Sequence, residues 1–260
     1  MRPKIINIEP LSAASLYVES FFNETLIAKA TSFMVKRKNK FFLLTNRHNV
    51  TGRDQNTGKP LDEKTAAIPN KIHVYFNMKG CVGRNIRSEF PLLIDEKPAW
   101  YEHPFLKESI DVVAFPVPVD DSSRLEVSPY YDLDVEIKHE AGISLKPGVR
   151  LNIIGFPFAK KTMNNFGIWI TGFLASDFDI DVDGDPKFYI DARTRTGQSG
   201  SPVVFYRHGE SVTLNNNTTH ISWSGYQLLG IYSGRIAPES DIGIVWKTGV
   251  ICELLDAIKV

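Results

Sequence analysis

Residues 196–202 read TGQSGSP. Glycine reaches backbone geometries with positive φ that other residues resist. The run around Ser199 therefore reads either as a tight turn holding one side chain outward or as an ordinary loop between strands. A serine hydroxyl becomes a useful nucleophile only when a neighbouring base takes its proton and a third group orients that base. The rest of the chain has to supply a histidine and an acid.

The six histidines are His48, His73, His103, His139, His208 and His220. His48 is distinguished by its context, FFLLTNRH (41–48), which puts it just past an apolar, strand-like run where a rigid element can aim it. His73 lies inside a strand-like run, His139 in a charged stretch, and His208 and His220 in polar turns. AWYEHP (99–104), with His103, reads as packing at a barrel rim. Among the acids, Asp111 in ESIDVVAF (108–115) opens the most apolar run of the first half, and a carboxylate buried there needs partners. The order is then His48, Asp111, Ser199. An α/β-hydrolase elbow would need glycine at 201, where the chain has Ser201, and an acid followed by a histidine downstream of the serine. No histidine follows Asp241, and Glu210 to His220 leaves little room.

Strand-like runs dominate the chain. TLIAKATSFMV (25–35) and KFFLLTN (40–46) flank the basic VKRKNK (35–40) as a hairpin would, its tip read as a solvated turn. KIHVYFNM (71–78) and SIDVVAFPVPV (109–119) follow, the latter ended by prolines. After a Ser-, Asp- and Pro-bearing segment (120–134), strand signals resume at 149–157, 167–176, 186–194, 201–206, 226–234 and 241–247. Short runs with Gly- and Asp-bearing turns favour antiparallel barrels over βαβ units. Val250, Ile251, Leu254, Leu255 and Ile258 fit one face of a helix, expected to cover the second barrel. Segment 51–70 is polar and reads as a surface loop.

At this point the chain resembles the trypsin-like, chymotrypsin-fold serine proteases, most closely their bacterial, disulfide-free branch. LLTNRHNV (43–50), IDVVAF (110–115) and DARTRTGQSGSPVV (191–204) are similar to the family's histidine, aspartate and nucleophile motifs. The resemblance implies an all-β fold of two antiparallel six-stranded β-barrels with a C-terminal helix. It places one barrel over 1–125 and the other over 126–260. It implies His48 as base, Asp111 as orienting acid and Ser199 as nucleophile. The backbone N–H groups of Gly197 and Ser199 would form the oxyanion hole. LGIYSG (229–234) is similar to the strand that pairs with substrate backbone, and Ser233 would also touch Asp111. Around the specificity pocket the resemblance sets Arg193, Thr194, Ser233, Gly234, Arg235 and Gly243. Arg193 stands where trypsin-type members keep an acid; it either enters the pocket, opposing basic substrates, or points to solvent. The activity implied is peptide hydrolysis on a polypeptide substrate. A catalytically silent peptide-binding module on the same fold and an esterase are the alternatives.

The departures from the family matter too. Digestive members carry Asp just before the nucleophile to capture a new N-terminus, whereas this chain has Gln198 and no Ile-Val-Gly-Gly segment. Activation by N-terminal cleavage is therefore not expected. The acidic DFDIDVDGD (177–185) hints at calcium but does not complete an EF-hand loop, and reads as a solvated turn. Neither a metal nor a cofactor is expected.

Composition narrows the class further. With 43% hydrophobic residues in 260, the chain can bury a substantial core. Thirty basic residues balance thirty acidic ones, so the electrostatic footprint of a nucleic-acid binder is missing. Two cysteines, Cys81 and Cys252, suit a reduced, cytoplasmic setting better than a disulfide scaffold. Asn7, Glu9 and Pro10 interrupt the apolar N-terminus, so neither a signal peptide nor a membrane span is expected. The reading leaves room for a regulatory partner.

Overall fold

The computed structural model describes residues 7–258 except 56, 63–65, 120–122, 128–130, 135–142, 163 and 215–219. His139 lies outside the described residues. The first half opens with a short helix α1 (Pro10–Ala14) and builds on β1 (Ser15–Phe22), β2 (Thr25–Arg37), β3 (Lys40–Thr45), β4 (Lys71–Met78) and β5 (Cys81–Pro91). A one-turn helix α2 (Arg47–Thr51) follows β3. The two-residue strands β6 (Leu93–Ile94) and β7 (Lys97–Pro98) form a small hairpin before β8 (Val113–Val117). The sheet runs β5-β4-β1-β2-β3-β8. Two further short strands join it: β9 (Leu125–Glu126) pairs with β4, and β10 (Tyr131–Asp132) pairs with β2 in parallel. The first sheet thus recruits chain from beyond residue 125, where the sequence reading ended the first barrel.

The second half is β11 (Arg150–Gly155), β12 (Ile168–Leu174), β13 (Lys187–Asp191), β14 (Pro202–Thr213), β15 (His220–Arg235) and β16 (Ile242–Lys247). These close into a six-stranded antiparallel barrel in the order β11-β12-β13-β16-β15-β14. His208 and His220 are strand residues of the long β14–β15 hairpin rather than turn residues. Closure buries one face of each strand: Phe188 and Ile190 of β13 point inward with Leu151, Ile153, Val203, Leu229 and Val245.

Why the runs in β2 and β3 are continuously apolar follows from what covers their two faces. Met34 and Leu43 face the core of the first sheet, with Val18, Ile72, Val74 and Phe76. Phe33, Val35, Phe42 and Leu44 face the other way, into a cluster shared with Ile154, Val204, Leu228, Ile231 and Trp246 of the second barrel. Alternate residues therefore serve two cores. The helix α3 (Thr248–Ala257) buries Val250, Ile251, Leu254 and Leu255 in that shared cluster. It bridges both halves rather than covering the second barrel alone. His103, buried at the rim, places its Nε2 3.0 Å from Glu253 Oε2 on that helix.

The β2–β3 turn is a two-residue one, with Lys38 and Asn39 at φ 50 and 58, the hairpin geometry that matches strand twist. Its basic tip is engaged by acids: Lys36 meets Asp132 at 3.0 Å, and the Arg37 guanidinium meets both carboxylate oxygens of Asp256 at 2.9 Å. The acidic turn is paired in the same way. Asp181 meets Lys247 at 2.6 Å, and Asp185 meets Lys187 at 3.0 Å. Among the described residues no cluster of three or more His, Cys, Asp or Glu side chains is arranged to hold a metal. Cys81 and Cys252 are both free, and no described helix is long and apolar enough to cross a membrane.

Candidate active site

Each half contributes one wall of the site. The first sheet supplies His48 from α2, which starts directly after β3 and ends at Gly52, whose φ of 64 lets its N–H cap the His48 carbonyl at 3.0 Å. Asp111 sits two residues before β8, fully buried. Adjacent pairing of β3 with β8 brings the two together. One Asp111 oxygen accepts the His48 backbone N–H at 2.9 Å, and the other lies 2.7 Å from His48 Nδ1. A carboxylate oxygen accepts, so Nδ1 carries the imidazole proton and Nε2 is left with its lone pair. Asn46 fixes the same loop by donating from Nδ2 to the Asp111 carbonyl at 2.7 Å.

The third donor to Asp111 comes from the second barrel, the Ser233 hydroxyl. Ser233 falls at a bulge in β15, where the register with β16 shifts between Tyr232 and Gly234. A bulge re-aims side chains, and this one turns Ser233 toward the other half.

Ser199 sits on the loop between β13 and β14, and its geometry is set by Thr31 of β2. The Thr31 N–H donates to the Ser199 carbonyl at 2.9 Å, and its hydroxyl donates to the Gly197 carbonyl at 2.8 Å. The flanking carbonyls are held too: Thr196 O accepts the Phe158 N–H at 2.6 Å, and Gln198 O accepts the Ser201 N–H at 2.9 Å. In a trans peptide the N–H points opposite the C=O. The N–H groups of Gly197 and Ser199 therefore face away from those anchors, and neither donates to an acceptor among the described residues. Two free donors beside one serine are what a developing oxyanion requires. The Ser199 hydroxyl itself donates to the Ser233 carbonyl at 3.0 Å.

The glycines are required sterically. A Cβ on Gly200, at φ 86, would stand 2.0 Å from the Thr31 carbonyl oxygen, and one on Gly197, at φ 93, 2.4 Å from Phe156 O. Gly200→Ala is expected to destabilise the fold by at least about 2 kcal/mol, the sum of left-handed strain and overpacking. Chemical denaturation measures it; an unchanged midpoint would show that the loop is not pinned against Thr31. The buried Gln198 closes the loop from within, accepting the Arg195 N–H at 2.8 Å. Its side-chain oxygen is thus satisfied locally, while its buried Nε2 has no hydrogen-bond partner among the described residues.

Burial of the His48 imidazole disfavours its charged form, but the charge and hydrogen bond of Asp111, helped by Asp54, outweigh this and hold its pKa above 6.5.

The residues expected around the pocket do not all line the cavity beside Ser199. Along 191–194 burial alternates, with Ala192 and Thr194 inward and Asp191 and Arg193 outward. Arg193 is thus exposed to solvent, whereas Arg195, farther along the loop that follows β13, lines the cavity beside Ser199. Gly234 and Arg235 line the cavity next to Ser199. Thr194 and Gly243 do not; they lie behind the Tyr232 ring. Thr31, Arg195 and Tyr232 are the site residues that sequence reading missed. Tyr232 stood inside the LGIYSG run, its side chain unweighed.

This is the fold of the trypsin-like serine proteases: all β, in two halves, with the candidate site where they meet. Among solved structures, the chain is similar to the serine endoprotease from Yersinia pestis, at 14% identity over 97% of this chain and 67% of that one, with a TM-score of 0.50. It is also similar to the Rv3671c protease from M. tuberculosis in its inactive form, at 18% identity over 96% and 91%, with a TM-score of 0.49. No family model matches the sequence, and no curated protein does.

Proposed function

We propose that the protein is a serine endopeptidase acting on polypeptides through Ser199, His48 and Asp111. The observation that carries this reading is the chain of contacts across the cleft. Asp111 holds His48 by two bonds and accepts the Ser233 hydroxyl from the other half, the Ser199 hydroxyl donates to the Ser233 carbonyl, and the backbone N–H groups of Gly197 and Ser199 are free among the described residues. On binding, the Ser199 proton turns from the Ser233 carbonyl to His48 Nε2. The Ser199 oxygen attacks the peptide carbonyl carbon, His48 takes the proton, and the oxyanion rests on the Gly197 and Ser199 N–H groups. The protonated imidazole gives its proton to the departing amine as the C–N bond breaks. Water, deprotonated by His48, then releases the acyl group as a carboxylate and restores the serine.

The pH dependence follows from His48. Only the neutral imidazole accepts the serine proton, and its pKa is held above 6.5. We expect kcat/KM to rise through a single step centred above 6.5 and then level off. The stability effect has the opposite sign. A pKa raised on folding stabilises the protein fully below the unfolded value and is lost as pH rises through the folded one. A flat rate profile from about pH 5 to 9 would remove His48 from the role of base.

The function is tested by incubating the purified protein with a peptide library and reading products by mass spectrometry. Defined new termini support the peptidase. Intact peptides bound by a well-folded protein would favour a silent binding module, and turnover of esters alone an esterase.

A further inference from the structure

Beside Ser199 lies a cavity of about 540 Å³ whose lining includes Asp54, Arg195, Tyr232, Gly234 and Arg235. A Cβ on Gly243 would stand 2.7 Å from Tyr232 Cε2, so the ring fills the space that glycine leaves. The Tyr232 hydroxyl lies 2.6 Å from Thr194 Oγ1. Two hydroxyls share one proton in that bond, so the pair retains one more to donate. Burial pushes the Tyr232 phenol up to about 12, opposed by the nearby Arg235 and Arg195, so it is a donor near neutral pH.

The charges are unevenly matched. Arg195 donates to the Thr194 carbonyl at 2.7 Å and meets the half-exposed Asp241 at 3.4 Å. Arg235, partly buried, forms no ion pair with a described residue. The Asp54 carboxylate is bound to Thr57 N and Oγ1 at 2.8 and 2.7 Å, and its field acts on His48. A residue entering past the bare Gly234 would meet two guanidiniums, a phenol and the Asp54 carboxylate, the last already accepting from Thr57.

We propose that this cavity selects an acidic side chain, glutamate above all, at the residue whose carbonyl Ser199 attacks. Arg235 is the selecting cation, and Arg195 and the Tyr232 hydroxyl complete the carboxylate site. A lysine or arginine there is repelled, and a large aromatic is stopped by the Tyr232 ring. The proposal rests on the peptidase reading, which it extends to a substrate class.

Peptides differing only at that residue test it. Glutamate should exceed its uncharged isostere glutamine by about 10- to 100-fold in kcat/KM, the range of a charge-assisted hydrogen bond. Arg235→Gln should reduce that ratio by about tenfold, and Arg195→Gln by less, since Asp241 already offsets its charge. In a second arm the same peptides bind Ser199→Ala protein in a calorimeter, where glutamate should again lead. Equal rates and affinities for glutamate and glutamine would overturn the proposal, as would a ratio unmoved by Arg235→Gln. Cleavage that favours lysine or phenylalanine would overturn it while leaving the peptidase standing. No cleavage of any peptide, with glutamate still preferred in the calorimeter, would uphold the pocket and sink the peptidase.

Discussion

Ser199→Ala is expected to lower peptide turnover by about 10⁶ while the protein stays folded. The hydroxyl makes one bond, to the Ser233 carbonyl at 3.0 Å, so its loss should change stability by less than about 1 kcal/mol. Chemistry suffers far more, because nothing else stands between the two free N–H groups. His48→Ala should cost a similar factor in rate, yet it differs in stability. It removes the Nδ1 donor from a carboxylate that is fully buried, leaving the His48 N–H and the Ser233 hydroxyl to hold it. That deficit is expected to cost about 1–3 kcal/mol. The double variant should be scarcely slower than either single one, since serine and imidazole act on one proton. Turnover by single variants and the double, with denaturation of each, checks both halves. Multiplying rate losses in the double would show that the residues do not act as a unit.

Asp111→Asn is expected to lower the rate by about 10⁴. The native carboxylate accepts from three groups: the His48 N–H, His48 Nδ1 and the Ser233 hydroxyl. An asparagine can keep the first through its oxygen, but its amide then faces Nδ1 and the Ser233 oxygen as a donor. Nδ1 must become the acceptor, the proton moves to Nε2, and the imidazole can no longer receive one from Ser199. Losing the charge also lowers the His48 pKa, since the field of Asp111 is what outweighs burial. The acid limb of the rate profile should therefore move down. The residual rate should partly recover at high pH, where hydroxide replaces the base. A near-wild-type rate, or an acid limb that does not move, would detach Asp111 from its place behind His48.

Much of this architecture was legible because local sequence and tertiary surroundings agree. KIHVYFNM became β4 over its full length, and β11, β12, β13 and β16 fell within the runs that announced them, whereas β14 (Pro202–Thr213) and β15 (His220–Arg235) extend well beyond the runs at 201–206 and 226–234. β1 and β5 were not seen. β1 (SLYVESFF) is buried along most of its length, including Ser15 and Ser20, so it shows no alternation of apolar and polar residues. β5 (CVGRNIRSEFP) fails in the opposite way: it is an edge strand, largely exposed, and carries little apolar signal. Helix α3 was visible from its spacing, but not what it covers. An apolar face does not name its partner, and here the partner is a cluster drawn from both halves. The pocket shows the same limit more finely. Arg193 and Arg195 are two residues apart, the same face of an extended run, so alternation does not separate them; the path of the loop beyond β13 does, leaving Arg193 exposed and Arg195 in the cavity lining.

The central claim is that Ser199 is a nucleophile activated in place. Its most direct measurement is reaction of the purified protein with a fluorophosphonate, followed by peptide mapping of the adduct. The account predicts one phosphonyl group per chain, on Ser199, formed in wild type and absent from His48→Ala. Folded protein left unmodified, or modified at another residue with Ser199 untouched, would contradict it.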